Sequence, residues 1–257
     1  MGLIKIGISG CLGRMGLDLV KEFTKDNRIK FVGGFDLKNN KIVLNDIFKS
    51  ADVVIDFSSS TAIKNNVSLA ILHKTALVVG TTGLKQKEIK LLKSASKKTP
   101  ILYSSNMSLG VNLLLELVKQ AASTLKDIDY DIEISETHHK HKKDAPSGTA
   151  LSLGQIAAEG RKISFSRKKV FNRTDKIHKR KSGQIGFAVT RGGEIAGEHT
   201  VSFIGDNDRI NLTHKANNRT IFVKGAIEAA VFLSKQKKGL YSMKDVLSIK
   251  PKFNKST

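Results

Sequence analysis

Short apolar runs alternate with amphipathic segments along the first part of the chain. The apolar runs lie at 5–9, 29–35, 52–57, 77–79 and 101–103, and most are followed by a segment with helical spacing. Apolar strands that alternate with amphipathic helices predict a parallel, doubly wound α/β sheet. Small or polar residues follow each run, at the strand ends where such sheets bind their ligands.

The pattern changes after residue 106. A long apolar helix is predicted up to residue 125, followed by a strand over 130–135 in which apolar and polar residues alternate. Further strands at 185–190, 199–204 and 209–214 are separated by turns, which predicts an antiparallel or mixed sheet. We therefore expect an inserted α+β domain over 107–218, between a first domain at 1–106 and its C-terminal return at 219–257.

A glycine-rich loop joins the first strand to the first helix. Gly10, Gly13 and Gly16 stand in a G-x-x-G-x-x-G pattern, and Asp36 ends the second strand about 20 residues further on. Glycines allow close approach of a pyrophosphate, and the carboxylate can receive ribose hydroxyls. Against the alternative of an ordinary glycine-rich turn, this predicts a Rossmann-type NAD(P)-binding domain. The expected cofactor contacts are Gly10, Cys11, Leu12, Gly13, Arg14, Met15, Asp36, Gly80, Thr81, Thr82, Ser104, Ser105, Asn106 and Met107.

A cluster of histidines and lysines follows the alternating strand. It comprises His138, His139 and His141 with lysines at 140, 142 and 143. Ser147 is placed to cap the next helix, whose first backbone N–H groups, at Gly148 and Thr149, favour an anion. The cluster thus predicts a carboxylate or phosphate pocket beside titratable imidazoles. A zinc site and a merely solvated basic loop are the alternatives; because the lysines would repel a dication, we predict no metal.

Composition narrows the function classes. The net charge is +21, but few aromatic residues accompany the scattered lysines, so nucleic-acid binding is not expected. The densest segment, the basic block at 161–181, carries ten Lys or Arg against one acidic residue and is expected to be solvated. Cys11 is the one cysteine, and no apolar run approaches the roughly 18 residues that span a bilayer. These features predict a cytoplasmic protein without a membrane partner.

The chain resembles the 4-hydroxy-tetrahydrodipicolinate reductase (dihydrodipicolinate reductase) family of the diaminopimelate and lysine pathway. The resemblance covers nearly the whole length. It rests on the motifs at 10–16, 80–83, 105–112 and 193–200, and above all on the His-His-x-His-Lys-x-Asp-Ala-Pro-Ser-Gly-Thr-Ala run at 138–150. A non-catalytic dinucleotide-binding regulator and an aspartate or homoserine dehydrogenase-like enzyme are competing interpretations, and the intact histidine run argues against both.

The resemblance implies a reaction and roles for individual residues. It implies NADH- or NADPH-dependent reduction of a cyclic imine dicarboxylate, with His138 as general acid/base and Lys142 as proton donor. His139, Gly148 and Thr149 match substrate-binding positions. An imidazolium at His138 could quench the charge that hydride addition builds at carbon. The family is usually homotetrameric, through the sheet of the inserted domain.

One departure from the family concerns the cofactor. Many members carry an arginine directly after the ribose-binding acid, where it can hold the 2′-phosphate of NADPH. Here Asp36 is followed by Leu37 and Lys38. Because a carboxylate repels a 2′-phosphate, we expect NADH to be favoured, although Lys38 or Arg14 could permit dual use.

Overall fold

The computed structural model describes residues 2–36, 41–174 and 179–248, which form two compact units. Unit 1 consists of Met1–Leu109 with Thr220–Thr257, and unit 2 consists of Gly110–Arg219. Among the described residues, no helix is both long and apolar enough to cross a membrane.

Eleven strands and nine helices are found in the described ranges. The strands are β1 (Ile4–Ser9), β2 (Ile29–Phe35), β3 (Val53–Asp56), β4 (Ala76–Val79), β5 (Pro100–Tyr103), β6 (Asp131–His138), β7 (Lys169–Val170), β8 (Ile185–Arg191), β9 (Gly197–Ile204), β10 (Arg209–Ala216) and β11 (Gly239–Tyr241). The helices are α1 (Arg14–Phe23), α2 (Lys41–Ser50), α3 (Ile63–His73), α4 (Gln86–Ala95), α5 (Leu109–Thr124), α6 (Gly148–Gly160), α7 (Phe165–Lys168), α8 (Thr220–Leu233) and α9 (Met243–Val246).

Unit 1 contains a six-stranded parallel sheet in the order β11-β5-β4-β3-β1-β2. Its two central strands, β3 and β4, are buried along their whole length because apolar residues such as Val53 and Val54 occupy both faces. The chain moves outward from β1 to β2 in one direction and then from β3 to β5 in the other. This reversal opens a crevice at the carboxyl ends of β1 and β3, where doubly wound sheets bind ligands. The predicted Rossmann-type sheet is confirmed.

Unit 2 contains a five-stranded mixed sheet in the order β10-β9-β6-β8-β7. The central strand β6 runs parallel to β8 and antiparallel to β9, which confirms the predicted mixed sheet. Alternate residues of β6 and β9, such as Ile134 and Phe203, are buried in a core with Val118 of α5 and Leu153 of α6. The same alternation brings Glu136, His138 and His199 onto the buried face.

The expectation of a solvated basic block is wrong for Arg161 and Arg180, which are half-buried, whereas Arg173 is exposed but paired. Arg161 donates from Nη2 to the carbonyl oxygens of Leu125 and Tyr130, at 3.2 and 2.6 Å. Arg173 pairs with Glu133 at 2.7 Å, and Arg180 pairs with Glu133 and Asp131. The acidic partners lie on β6, far away in sequence, so composition within the block could not reveal these pairs.

Candidate functional site

The glycine loop of unit 1 is shaped by close backbone approaches. Gly10 has a φ of +83°, a conformation that L side chains rarely adopt, and a Cβ there would lie 2.7 Å from the carbonyl oxygen of Phe57. A Cβ on Gly16 would lie 2.6 Å from Cα of Cys11 and would also meet the carbonyl oxygen of Gly10. The loop therefore needs glycine at both positions to pass this close to itself and to β3.

Asp36 lies against the same loop. Its Oδ2 accepts a hydrogen bond from the backbone N–H of Leu12 at 3.2 Å. The carboxylate at the end of β2 is thus held beside the turn that begins α1, the arrangement expected of a ribose-binding acid. Leu37 and Lys38, which bear on cofactor preference, lie outside the described residues.

A cavity of about 390 Å³ opens at the carboxyl edge of the unit 1 sheet. Nine predicted cofactor contacts line it, namely Gly13, Arg14, Met15, Gly80, Thr81, Thr82, Ser105, Asn106 and Met107. The remaining predicted contacts, Gly10, Cys11, Leu12, Asp36 and Ser104, are not among its lining residues. The lining also includes Phe57, Ser58 and Phe222, which the sequence analysis missed. The position of Phe57 and Ser58 directly after a buried strand was an available signal; Phe222, inside α8, offered none.

A buried carboxylate, that of Asp56, holds residues of the cavity wall in place through hydrogen bonds. Asp56 is fully buried at the end of β3, and its Oδ1 accepts hydrogen bonds from Ser58 Oγ at 2.6 Å and Thr81 Oγ1 at 3.0 Å. Its Oδ2 accepts from Asn66 Nδ2 at 2.9 Å, and the same amide also reaches Ser9 Oγ. Asp56 therefore ties the ends of β1, β3 and β4 together and fixes two side chains of the cavity wall. The glycine turn, Asp36 and this braced edge fit a dinucleotide.

The histidine loop of unit 2 joins the end of β6 to the start of α6. Ser147 caps α6 as predicted, because its Oγ accepts the N–H of Ala150 at 3.1 Å. Lys142 Nζ lies 2.7 Å from Asp144 Oδ1 within the loop. His138 is only 7% exposed. The other predicted positions, His139, Gly148 and Thr149, are half-buried or exposed on the same short segment.

Below the loop lies a buried ion network that the sequence analysis did not identify. Glu136, 2% exposed, accepts hydrogen bonds at Oε1 from the Ser147 N–H and from Arg191 Nη2, both at 2.9 Å. Its Oε2 lies 3.4 Å from His138 Nδ1 and 3.5 Å from His199 Nε2. The spacing of Glu136 and His138 on one strand was a usable signal. The contribution of His199 depends on the β6–β9 register, which the sequence does not reveal.

The network sets the charge of His138. The pKa of His138 is lowered to about 4, first by burial and next by His199, Lys142 and Arg191, while Glu136 acts in the opposite direction. For Glu136, burial alone would raise the pKa, but the neighbouring His199, together with the hydrogen bonds from Ser147 and Arg191, brings it well below its usual value. In this arrangement Glu136 is ionised and His138 is neutral at pH 7. The imidazolium expected during the reaction is therefore not the form that this environment favours before substrate binds.

The same side chains could in principle surround a metal ion. The ligand atoms of Glu136, His138 and His199 lie within 4.8 Å of one another, a grouping different from the three loop histidines considered above. The Arg191 guanidinium, however, lies 2.9 Å from Oε1 of the same carboxylate, and its positive charge opposes the binding of a dication at Oε2. The arrangement is that of a self-contained ion network.

Comparison with known proteins identifies relatives of both units. A family model described as dihydrodipicolinate reductase, N-terminus, matches residues 4–107, and one described as dihydrodipicolinate reductase, C-terminus, matches 110–247. Proteins named 4-hydroxy-tetrahydrodipicolinate reductase from Zymomonas mobilis and Sulfurovum sp. are 45% and 43% identical to the chain. These alignments cover 96% of this chain in both cases, with 98% and 100% of the two relatives.

Solved structures show the same fold. A dipicolinate-bound dihydrodipicolinate reductase from Paenisporosarcina sp. TG-14 is similar with a TM-score of 0.74 at 20% identity, covering 93% of this chain and 97% of that one. The DAP dehydrogenase of C. glutamicum, in complex with DAP, is similar with a TM-score of 0.59 at 14% identity, covering 97% of each chain.

Proposed function

The chain belongs to the dihydrodipicolinate reductase family, and we propose that its histidine loop provides the proton chemistry of a 4-hydroxy-tetrahydrodipicolinate reductase. Such an enzyme converts (2S,4S)-4-hydroxy-2,3,4,5-tetrahydrodipicolinate to tetrahydrodipicolinate and water in diaminopimelate and lysine biosynthesis. The observation that carries the proposal is the loop itself. It combines a cation, a buried imidazole and the N-terminus of a 13-residue helix within residues 138–149.

The reaction requires one hydride and one proton. Loss of the 4-hydroxyl as water leaves a C4=C5 double bond conjugated to the ring imine. Since the product is saturated at C4 and C5 and keeps the imine, hydride adds at C4 and a proton at C5. A reduced nicotinamide dinucleotide, held by the glycine loop and the cavity of unit 1, would supply the hydride. The side chains of the chain bind the substrate and move the proton.

Each residue of the loop has a physically distinct task. The first turn of α6, with the N–H groups of Gly148 and Thr149, offers a positive dipole end to a substrate carboxylate, and His139 adds a polar contact. Lys142 supplies a full positive charge and a transferable proton. His138 begins neutral, and a bound dicarboxylate raises its pKa by bringing negative charge near it. His138 can then accept a proton and pass it on toward C5.

NADH is proposed as the preferred or at least equal cofactor. Asp36 is held beside the glycine loop by the N–H of Leu12, and its negative charge repels a 2′-phosphate. In a coupled assay, dihydrodipicolinate synthase generates the substrate in place, and loss of reduced-nicotinamide absorbance is followed with each cofactor. We expect oxidation that depends on the synthase product, with kcat/KM for NADH equal to or above that for NADPH. Oxidation without the synthase product would contradict the assigned reaction, whereas a strong preference for NADPH would contradict only the role of Asp36.

The outer face of the unit 2 sheet is proposed to form a homotetramer. Ser135, Ser202 and Thr213 lie on this face, opposite the core, and are half-buried or exposed. Small side chains allow a second sheet to approach closely. Light scattering should give four times the 28.1 kDa mass of one chain. Thr200 lies between Ser135 and Thr213 on this face, and Thr200→Arg, which brings like charges together across a symmetric contact, should lower that mass. A wild-type protein that is monomeric at micromolar concentration would contradict the assembly.

The compartment is also part of the proposal. Cys11 is the one cysteine of the sequence, so the fold gains nothing from an oxidising environment. A cytoplasmic location follows as the expectation for this biosynthetic reaction.

A further inference from the structure

Glu136 connects the two functional parts of the histidine loop. Its Oε1 accepts from the N–H of Ser147, the residue that caps α6, and from Arg191. Arg191 in turn donates to the carbonyl oxygen of Asp144 at 2.6 Å, so the pair holds the part of the loop that leads into α6. The opposite oxygen, Oε2, faces His138. One buried carboxylate thus contacts both the anion-binding helix start and the imidazole.

The contact between Glu136 and His138 favours one protonation form of the imidazole, in which Nδ1 carries the proton. His138 Nδ1 and Glu136 Oε2 are both buried, and neither has a hydrogen-bond partner within the described part of the chain. They lie 3.4 Å apart, and an unpaired buried polar atom costs about 1–3 kcal/mol. A proton on Nδ1 lets each atom satisfy the other with a small adjustment. A proton on Nε2 would leave two lone pairs facing each other.

The opposite edge of the His138 ring faces a position without a side chain. A Cβ on Gly197 would lie 2.9 Å from His138 Nε2, closer than real Cβ atoms approach. Any side chain at this position would therefore collide with the Nε2 edge of the ring, which glycine avoids. The ring therefore has a carboxylate on its Nδ1 edge, and no side chain of residue 197 lies against its Nε2 edge.

We propose that Glu136 is a positioning residue that holds His138 as the Nδ1–H tautomer, with the Nε2 lone pair available for proton transfer. The catalytic consequence rests on the proposed reductase function; the tautomer itself does not. Glu136 does not contact the substrate in this account. It acts through His138 and, by way of Ser147, through the start of α6.

Substitution by glutamine gives a sharp test because the amide has only one way to fit. The Ser147 N–H and Arg191 both donate at the Oε1 position, so the amide oxygen must stay there. The NH2 group then faces the imidazoles and donates to Nδ1 of His138. Glu136→Gln should therefore convert His138 from the Nδ1–H to the Nε2–H tautomer. If Glu136 had a purely structural role, Glu136→Gln would lower the melting temperature but leave the tautomer of His138 unchanged.

The tautomer is measured by long-range ¹H–¹⁵N correlation spectra of protein labelled at histidine, with His138→Gln assigning the signal. The wild type should show Nδ1–H, and Glu136→Gln should show Nε2–H with kcat lowered about 100-fold and the NADH dissociation constant unchanged. Glu159→Gln serves as the matched control, since this carboxylate forms a surface pair with Lys119 and should leave tautomer and kcat as in wild type.

The outcomes separate the inference from the proposed function. A wild-type His138 in the Nε2–H form would overturn the inference even if Glu136→Gln failed to fold. Full activity of a folded Glu136→Gln protein would overturn it as well. Activity that is lost on chelation and restored by zinc would show that Glu136 is a ligand rather than a positioning group. Tautomers as expected in a protein without reductase activity would leave the positioning role intact and contradict only the function.

Discussion

Replacing His138 with glutamine is expected to lower kcat about 10²–10⁴-fold, the usual contribution of a positioned acid/base group. Glutamine keeps much of the shape of the imidazole but cannot accept and return a proton. The cofactor cavity lies in unit 1, and its lining does not include His138. The NADH dissociation constant, measured by fluorescence titration, should therefore stay within about twofold of the wild type, and the loss should appear in the chemical step.

The split between kcat and KM decides what His138 does. A rise in KM with an unchanged kcat would make His138 a binding group and refute its role in proton transfer. His141→Gln provides the matched control: His141 is an exposed histidine of the same loop, 3.7 Å from Glu194. Its substitution should leave both constants near their wild-type values.

Replacing Lys142 with alanine is expected to lower kcat/KM about 10²-fold or more. The ammonium of Lys142 is ordered by Asp144 at 2.7 Å, and its removal deletes both a proton source and a positive charge for the substrate dicarboxylate. We therefore expect kcat to fall and KM to rise, whereas the substitution of His138 should lower kcat alone. Initial rates in the coupled assay, at several substrate concentrations, measure the two effects separately.

Lys140 offers a control on the same loop. It is exposed and lies 3.9 Å from Glu194, a surface contact of little energetic weight. Lys140→Ala should retain nearly full activity. Equal activities of Lys142→Ala and Lys140→Ala would contradict a specific role of the Lys142 ammonium. The overall positive charge of the loop would then be the property that supports catalysis.

The fold could be predicted because its strands are marked by local patterns. In unit 1, strands such as Val53–Asp56 are continuous apolar runs ended by small or polar residues, as both faces of a parallel sheet are buried. In unit 2, β6 and β9 alternate between buried and half-buried residues along almost their whole length. These periodicities lie within single segments, so no knowledge of distant contacts was needed.

The candidate site was harder to predict than the fold, because it depends on contacts between segments that are distant in the sequence. The motifs located the glycine loop and the histidine run, but the strand pairing of Glu136 with His199 is a matter of register. Arg191 reaches Glu136 from the end of β8, 55 residues away. The neutral state of His138 follows from burial and these neighbours together.

Transfer of deuterium from [4-²H]NADH tests most directly that this chain reduces the ring by hydride addition at C4. NADH labelled at the pro-R or at the pro-S position of nicotinamide C4 is oxidised in turn by the purified protein, with the substrate generated in place. The product is analysed by mass spectrometry and NMR. One stereoisomer should place one deuterium at C4 of tetrahydrodipicolinate, with one NADH consumed for each product molecule and solvent hydrogen at C5. A product without deuterium from either stereoisomer, deuterium at C6, or no reduced product from folded protein would contradict the assignment.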